Sequence, residues 1–178
     1  SYMVKQDDTL FFTTHDGCMC DISMEPGSMP GVLFILSDVN CPGLIEFQAV
    51  GEWIYLLQHP NYGNTGSDKM TLFRVKLNGR DLQVIRNDIV SKEFNTFIVR
   101  DGFVYCTVAT RTQVSASNFK DVCELIMIDL NSGDTKSLYS LENNQDLHIC
   151  AYNDDKAILQ ADENLLMLDL NTQVVENA

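Results

Sequence analysis

The chain has little of what enzymes usually build their sites from. It holds three histidines and one tryptophan in 178 residues. It contains no glycine-rich phosphate loop, no Gly-x-Ser-x-Gly elbow and no Asp-x-Asp-x-Asp-Gly calcium loop. No catalytic residue, cofactor or metal ion is therefore assigned. No apolar run approaches the ~20 residues that a bilayer-spanning helix needs, so membrane insertion is not expected. Basic residues are scarce, with 12 Lys and Arg against 25 Asp and Glu, a net charge of -13. Such a field repels phosphate backbones, which bind through Lys and Arg, and this sets aside nucleic acid and anionic membrane surfaces.

Helical periodicity is missing as well. Nearly every apolar stretch is short, rich in Val, Ile, Phe, Tyr and Leu, and bounded by turn residues, which is a strand signal. A chain with 45% hydrophobic and 21% charged residues has the composition of an ordinary folded domain. At this length it can bury roughly 70% of its unfolded surface without staples. The six cysteines are Cys18, Cys20, Cys41, Cys106, Cys123 and Cys150. Their spacing is irregular and unlike the framework of a small secreted domain. No signal peptide is visible, and the chain starts directly in a strand.

What the sequence does contain is a weak internal repeat. Its clearest line is Leu72-Phe73-Arg74-Val75-Lys76-Leu77-Asn78. The line returns over Leu125 to Asn131 and over Leu165 to Asn171, with a degenerate copy over Met19 to Met24. Three further columns accompany it. One reads Tyr2-Met3-Val4, Ile45 to Ala49, Thr96 to Val99 and Leu147 to Cys150. The next reads Leu10-Phe11-Phe12, Trp53-Ile54-Tyr55, Phe103-Val104-Tyr105 and Ala157-Ile158-Leu159. The last reads Val32 to Ile35, Leu82 to Ile85, Ser137 to Tyr139 and Gln173 to Val175. Tight polar turns (Asp7-Asp8, Gly51-Glu52, Asp101-Gly102, Asp154-Asp155) join the first two columns, as two-residue hairpins prefer.

Four units of four strands follow, with boundaries near 1–43, 44–94, 95–146 and 147–178 in one domain spanning 1–178. Tyr55 and Tyr105 lie 50 residues apart, a spacing typical of β-propeller blades. The expected fold is all-β: a β-propeller-like array of four four-stranded antiparallel blades, as a four-bladed ring or an arc of a larger propeller. Face-to-face stacking would bury both apolar faces of each sheet. The third unit is apolar on both sides of its line (Ile126 and Ile128 against Leu125 and Met127), so it should lie deeper than the others.

Trp53-Ile54-Tyr55 with Leu72 to Gly79 and Leu82 to Ile85 resembles low-density-lipoprotein-receptor-type propeller repeats. It is more similar still to a bacterial family catalogued as domain of unknown function 5050. Phe103 to Tyr105 with Leu125 to Gly133 matches less closely, the first unit is divergent and the fourth is shortened. The resemblance implies a six-bladed propeller, usually extracytoplasmic, with no assigned activity. Four units are present instead of six. The ends fall at column one and just past column four, which removes the strand exchange that fastens many propeller rings. An open arc is the expected arrangement, with two bare blade faces for further blades or a second copy to cover.

Two hairpin loops between columns two and three are long, His59 to Met70 and Val108 to Asp121. They carry His59, Tyr62, Arg111, Phe119 and Lys120, the candidate ligand-binding residues, against the plainer role of ordinary hairpin tips. Cys18-x-Cys20 places two sulfurs on one strand face, short of a metal site without further ligands. Cys106 and Cys123 fall on paired strands, where a cross-strand disulfide and two free thiols are both open. His148 and Cys150 sit at i and i+2, roughly 7 Å apart on a strand, too far for a base–nucleophile bond. The acidic pairs Asp7-Asp8, Asp154-Asp155 and Asp162-Glu163 read as solvated turns.

The expected function is a non-catalytic binding module for a protein, peptide or glycan. The alternatives are a hydrolase or lyase completed by missing blades or a partner, and a structural self-association module. Convergence of His148, Asp146 and another carboxylate would mark the enzyme. The family resemblance favours a place outside the membrane, while unpatterned cysteines favour a reducing interior.

Overall fold

The computed structural model describes residues 3–39, 41, 43–58, 69–90, 97–115, 118–142 and 147–178, with the backbone alone at 69, 90, 111–115 and 118–121. The fold is all-β, and among the described residues there is no helix. The chain divides into two compact units, Ser1–Asn87 and Asp88–Ala178.

In the first unit, β1 (Met3–Gln6), β2 (Thr9–Thr13), β3 (Cys18–Ser23) and β4 (Gly31–Ile35) pair in order as an antiparallel sheet. Then come β5 (Leu44–Val50), β6 (Trp53–Gln58) and β7 (Lys69–Lys76), with β8 (Gln83–Val90) beside β7. The unit boundary falls inside β8. In the second unit, β9 (Phe97–Arg100), β10 (Phe103–Ser115), β11 (Asn118–Asp129) and β12 (Thr135–Glu142) are followed by β13 (Leu147–Tyr152), β14 (Lys156–Ala161), β15 (Asn164–Asp169) and β16 (Val174–Asn177).

Hydrogen bonding counts sheets of four, eight and four strands, where the sequence pattern points to four sheets of four. The larger sheet arises because Ile89 of β8 pairs with Val108 of β10. Both strands run further than their apolar stretches suggest. Val108 to Ser115 is strand, not hairpin loop, since Thr and Val favour the extended backbone even among polar neighbours.

Four backbone hydrogen bonds recur. The N–H of Met24, Leu77, Leu130 and Leu170 donates to the carbonyl of Asp8, Glu52, Gly102 and Asp155, at 2.8, 3.1, 2.9 and 2.8 Å. Counting from these anchors, the registers of β2–β3, β6–β7, β10–β11 and β14–β15 coincide pair by pair: Phe11↔Asp21, Tyr55↔Arg74, Tyr105↔Met127, Ile158↔Met167. Thr9 therefore matches Trp53, and Lys156 matches Phe103. The apolar triplets of the first and last units stand one residue out of step with the alignment read from sequence. Phe11-Phe12 and Ile158-Leu159 are apolar on both strand faces, so hydrophobicity alone does not fix their register.

The anchors define two sides of each hairpin. Side A holds Phe11, Tyr55, Tyr105 and Ile158; side B holds Leu10, Ile54, Val104 and Ala157. In the first unit, Phe11, Met19 and Phe34 on side A of β1–β4 pack with Phe47, Ile54, Leu56, Phe73 and Val75 on side B of β5–β7. In the second unit, Ile98, Tyr105, Leu125 and Met127 on side A of β9–β12 pack with Ile149, Ala157, Leu159, Leu166 and Leu168 on side B of β13–β16. Both cores follow one rule, A on B, and each is the main driving force for its unit. β11 is buried on both faces, with Leu125, Ile126, Met127 and Ile128 all inside, as its two-sided apolar pattern leads one to expect.

Candidate functional site

The β10–β11 hairpin is the longest among the described residues. Its ladder runs without interruption from Phe103↔Asp129 to Gln113↔Phe119 and then, across an irregularity, to Ser115↔Asn118. The described pairing with β12 ends at Val122↔Glu142. The pairs Arg111↔Asp121, Thr112↔Lys120 and Gln113↔Phe119 thus form a two-stranded ribbon beyond the last described β12 partner. Three candidate residues lie on it: Arg111 on one strand, Phe119 and Lys120 on the other. Their side chains are outside the described residues, and so are His59 and Tyr62 entirely. The match for β10–β11 at β14–β15 is short: Asp162 and Glu163 alone separate its strands, with Asp162 at φ 56°.

The cysteines stand apart chemically. Register places Cys106 opposite Ile126 and Cys123 opposite Ala109. Cys123 packs against the second core on side A, whereas Cys106 falls on side B. The two thiols lie on opposite faces of the hairpin, and no disulfide joins them. Cys20 is buried, and its thiol pKa is raised by burial first, then by Cys18 and Asp21. Cys41 is fully buried and its pKa is pushed up to about 12 by loss of solvent. Among the described residues no group of three His, Cys, Asp or Glu side chains converges, and Cys18 and Cys20 gain no third ligand there.

His148 is half-buried on β13, opposite Gln160 of β14. Cys150 sits at an irregularity where Ile149 pairs with Leu159 and Ala151 with Ile158, and its thiol lies 4.0 Å from Gln160 Oε1. Asp146 is outside the described residues.

Two polar clusters escaped the sequence reading. Arg100, at the end of β9, donates through Nε to Asp101 Oδ2 at 3.0 Å and through Nη2 to Asn171 Oδ1 at 3.0 Å. Nη2 also lies 3.8 Å from Asp155 Oδ1, which accepts from Asn171 Nδ2 at 3.3 Å. One guanidinium thereby ties three turns of the second unit together. Such a forked cation suits structural clamping and supplies no base or nucleophile. In the first unit, the Arg74 guanidinium stacks 4.4 Å from the Trp53 ring centroid, and Lys76 Nζ lies 5.4 Å from it. Arg74 Nε donates to Gln83 Oε1 at 2.9 Å, and Lys76 pairs with Asp81 at 3.0 Å. The Asp81 hydrogen bond is the chief cause of a raised Lys76 pKa. The register pair Trp53↔Lys76 could have suggested this cluster; the partners of Arg100 lie too far along the chain for any local signal.

No family model and no curated protein matches the chain. Solved structures show a faint likeness. The AtxE2 isopeptidase with Astexin3-dC4 bound gives a TM-score of 0.48 at 12% identity, covering 93% of this chain and 25% of that one. Cobalt-substituted Synechocystis ACO gives 0.40 at 10% identity, covering 98% and 44%. Oligopeptidase B from Leishmania major gives 0.40 at 11% identity, covering 96% and 32%. The chain thus spans less than half the length of each of these proteins.

Proposed function

We propose that the chain is an array of four β-propeller-type leaves, an arc rather than a closed ring, that serves as a non-catalytic binding module. Four coincident registers, four equivalent anchoring hydrogen bonds and one packing rule support the leaf reading. The observation that carries the binding role is the β10–β11 ribbon, which runs beyond the last described β12 partner and bears Arg111, Phe119 and Lys120. A rigid scaffold with one prolonged hairpin is a common way to present a recognition element. A ribbon whose two strands carry one aromatic and two basic residues suits an acidic peptide or a glycan.

The test is capture on peptide and glycan arrays by the immobilised chain. The triple variant Arg111→Ala/Phe119→Ala/Lys120→Ala should lose at least tenfold in signal while its melting temperature is unchanged. A deletion of residues 61–68 should act in the same direction. Equal capture by wild type and triple variant, or capture by neither, contradicts the reading.

A further inference from the structure

Among the described residues two sheet faces are largely open, with Cys20 buried on the first of them, and they are of opposite kinds. Side B is buried on β6–β7, on β10–β11 and on β14–β15, where Ile54, Leu56, Val104, Cys106, Ala157 and Leu159 are all inside. On β2 the matching residues, Leu10 and Phe12, are only half-buried. Around them side B of the first sheet continues with Met3 (67% exposed), Ile22 and Val32 (66% exposed). Lys5 brings the one charge among these residues. Side A shows the reverse pattern. Phe11, Tyr55 and Tyr105 are buried, as are Met19, Leu72 and Leu125. Their matches on the last sheet are Ile158, half-buried, and Leu165, 55% exposed.

We propose that copies of this chain associate head to tail, side A of β13–β16 in one copy covering side B of β1–β4 in the next. The inference rests on the leaf-array reading above. In both cores of the molecule a B side is covered by an A side. The chain therefore states what covers an open B side, and it carries one open A side of its own. Apolar patches of this kind on a sheet are seldom left wet. The charges agree: Lys5 stands on the B side, and Lys156 is outnumbered by Asp169 and Glu176 on the A side. Because the two faces differ, the contact is heterologous and continues into a ring or a filament.

Sedimentation of the whole chain tests this. The weight-average mass of the wild type should rise with concentration between the micromolar and millimolar ranges. The double variants Met3→Glu/Val32→Glu and Leu165→Glu/Val174→Glu change exposed side chains, so each should fold with an unchanged circular dichroism spectrum and stay monomeric. Mixed in equal amounts, they should form a 1:1 pair through their intact faces. A monomeric wild type at millimolar concentration overturns the proposal, and so do variants that fail to recombine. Continued pairing of the Leu165→Glu/Val174→Glu variant with itself would show a B-on-B contact and equally overturn it. If the Leu77, Leu130 and Leu170 amides remain protected from exchange in a monomeric wild type, only the head-to-tail contact fails. If they exchange freely, the array reading fails with it.

Discussion

The Leu130 N–H donates to the Gly102 carbonyl at 2.9 Å, binding the end of β11 to the turn that opens β10. The bond closes a corner, since Leu130 has just left the strand and Gly102 sits at φ 83°. The same corner is closed by Leu77 on Glu52 and by Leu170 on Asp155. It fixes the hairpin register one residue after the turn, and with it which side chains enter the core.

Turn glycines should differ sharply in what they tolerate. Gly79 has φ +75°, and a Cβ there would come 2.9 Å from Cβ of Phe34. Gly133 has φ +79° and open space around it. Gly79→Ala combines left-handed strain with a clash against a core residue and should cost about 2–4 kcal/mol. Gly133→Ala should cost only about 1 kcal/mol. Urea unfolding of both variants checks the ordering, and equal losses would speak against it.

Gln173, between β15 and β16, occupies the position that Gly133 holds between β11 and β12. Its N–H donates to the Asp169 carbonyl at 2.8 Å, as that of Gly133 does to Asp129 at 2.8 Å. Yet Gln173 is held at φ 60°, where a side chain is strained. Gln173→Gly should stabilise the chain by about 0.5–1 kcal/mol, the relief of strain outweighing the added freedom of the unfolded state. A lower midpoint in urea would contradict this.

Asp169 gives the chain an acid-sensitive corner. Its Oδ1 accepts from the N–H of Thr172 at 2.8 Å and of Asn171 at 2.9 Å. These donors, Thr172 foremost, hold its carboxyl below the usual range. A depressed folded-state value contributes stability above the unfolded carboxylate value of about 4 and loses it as pH falls through the folded value. Asp169→Asn should therefore melt below the wild type near neutral pH, and the gap should shrink as pH falls below the unfolded carboxylate value. A gap independent of pH would exclude this role.

Thiol chemistry separates the cysteines. Alkylation in denaturant without reductant should modify all six thiols, since no disulfide joins any two of them. Without denaturant, buried Cys41, with its pKa near 12, should react only as fast as the first unit opens. Four modified thiols in place of six would reveal a disulfide that the register of β10 and β11 forbids.

Much of the strand map was legible because short apolar runs between turn residues read the same way locally and globally. All four column-three lines, Met19 to Met24 included, begin or lie within strands at matching registers. Three features were not legible. The β10–β11 ribbon is polar in composition, and polarity outweighed its Thr and Val content in the sequence reading. The separation of Cys106 from Cys123 depends on a register that neither residue encodes. The Arg100 cluster joins Asp101 to Asp155 and Asn171, partners that only the tertiary fold brings near. Of the candidate residues, Arg111, Phe119 and Lys120 were read as parts of a hairpin loop, whereas the backbone there is strand.

Amide hydrogen exchange of the native chain bears most directly on the leaf array. The N–H groups of Leu77, Leu130 and Leu170 should be protected together, well above the amides of the turns beside them. Exchange of any of the three at the rate of an open turn would mean that the corners are not equivalent and that the chain is not built from one recurring leaf.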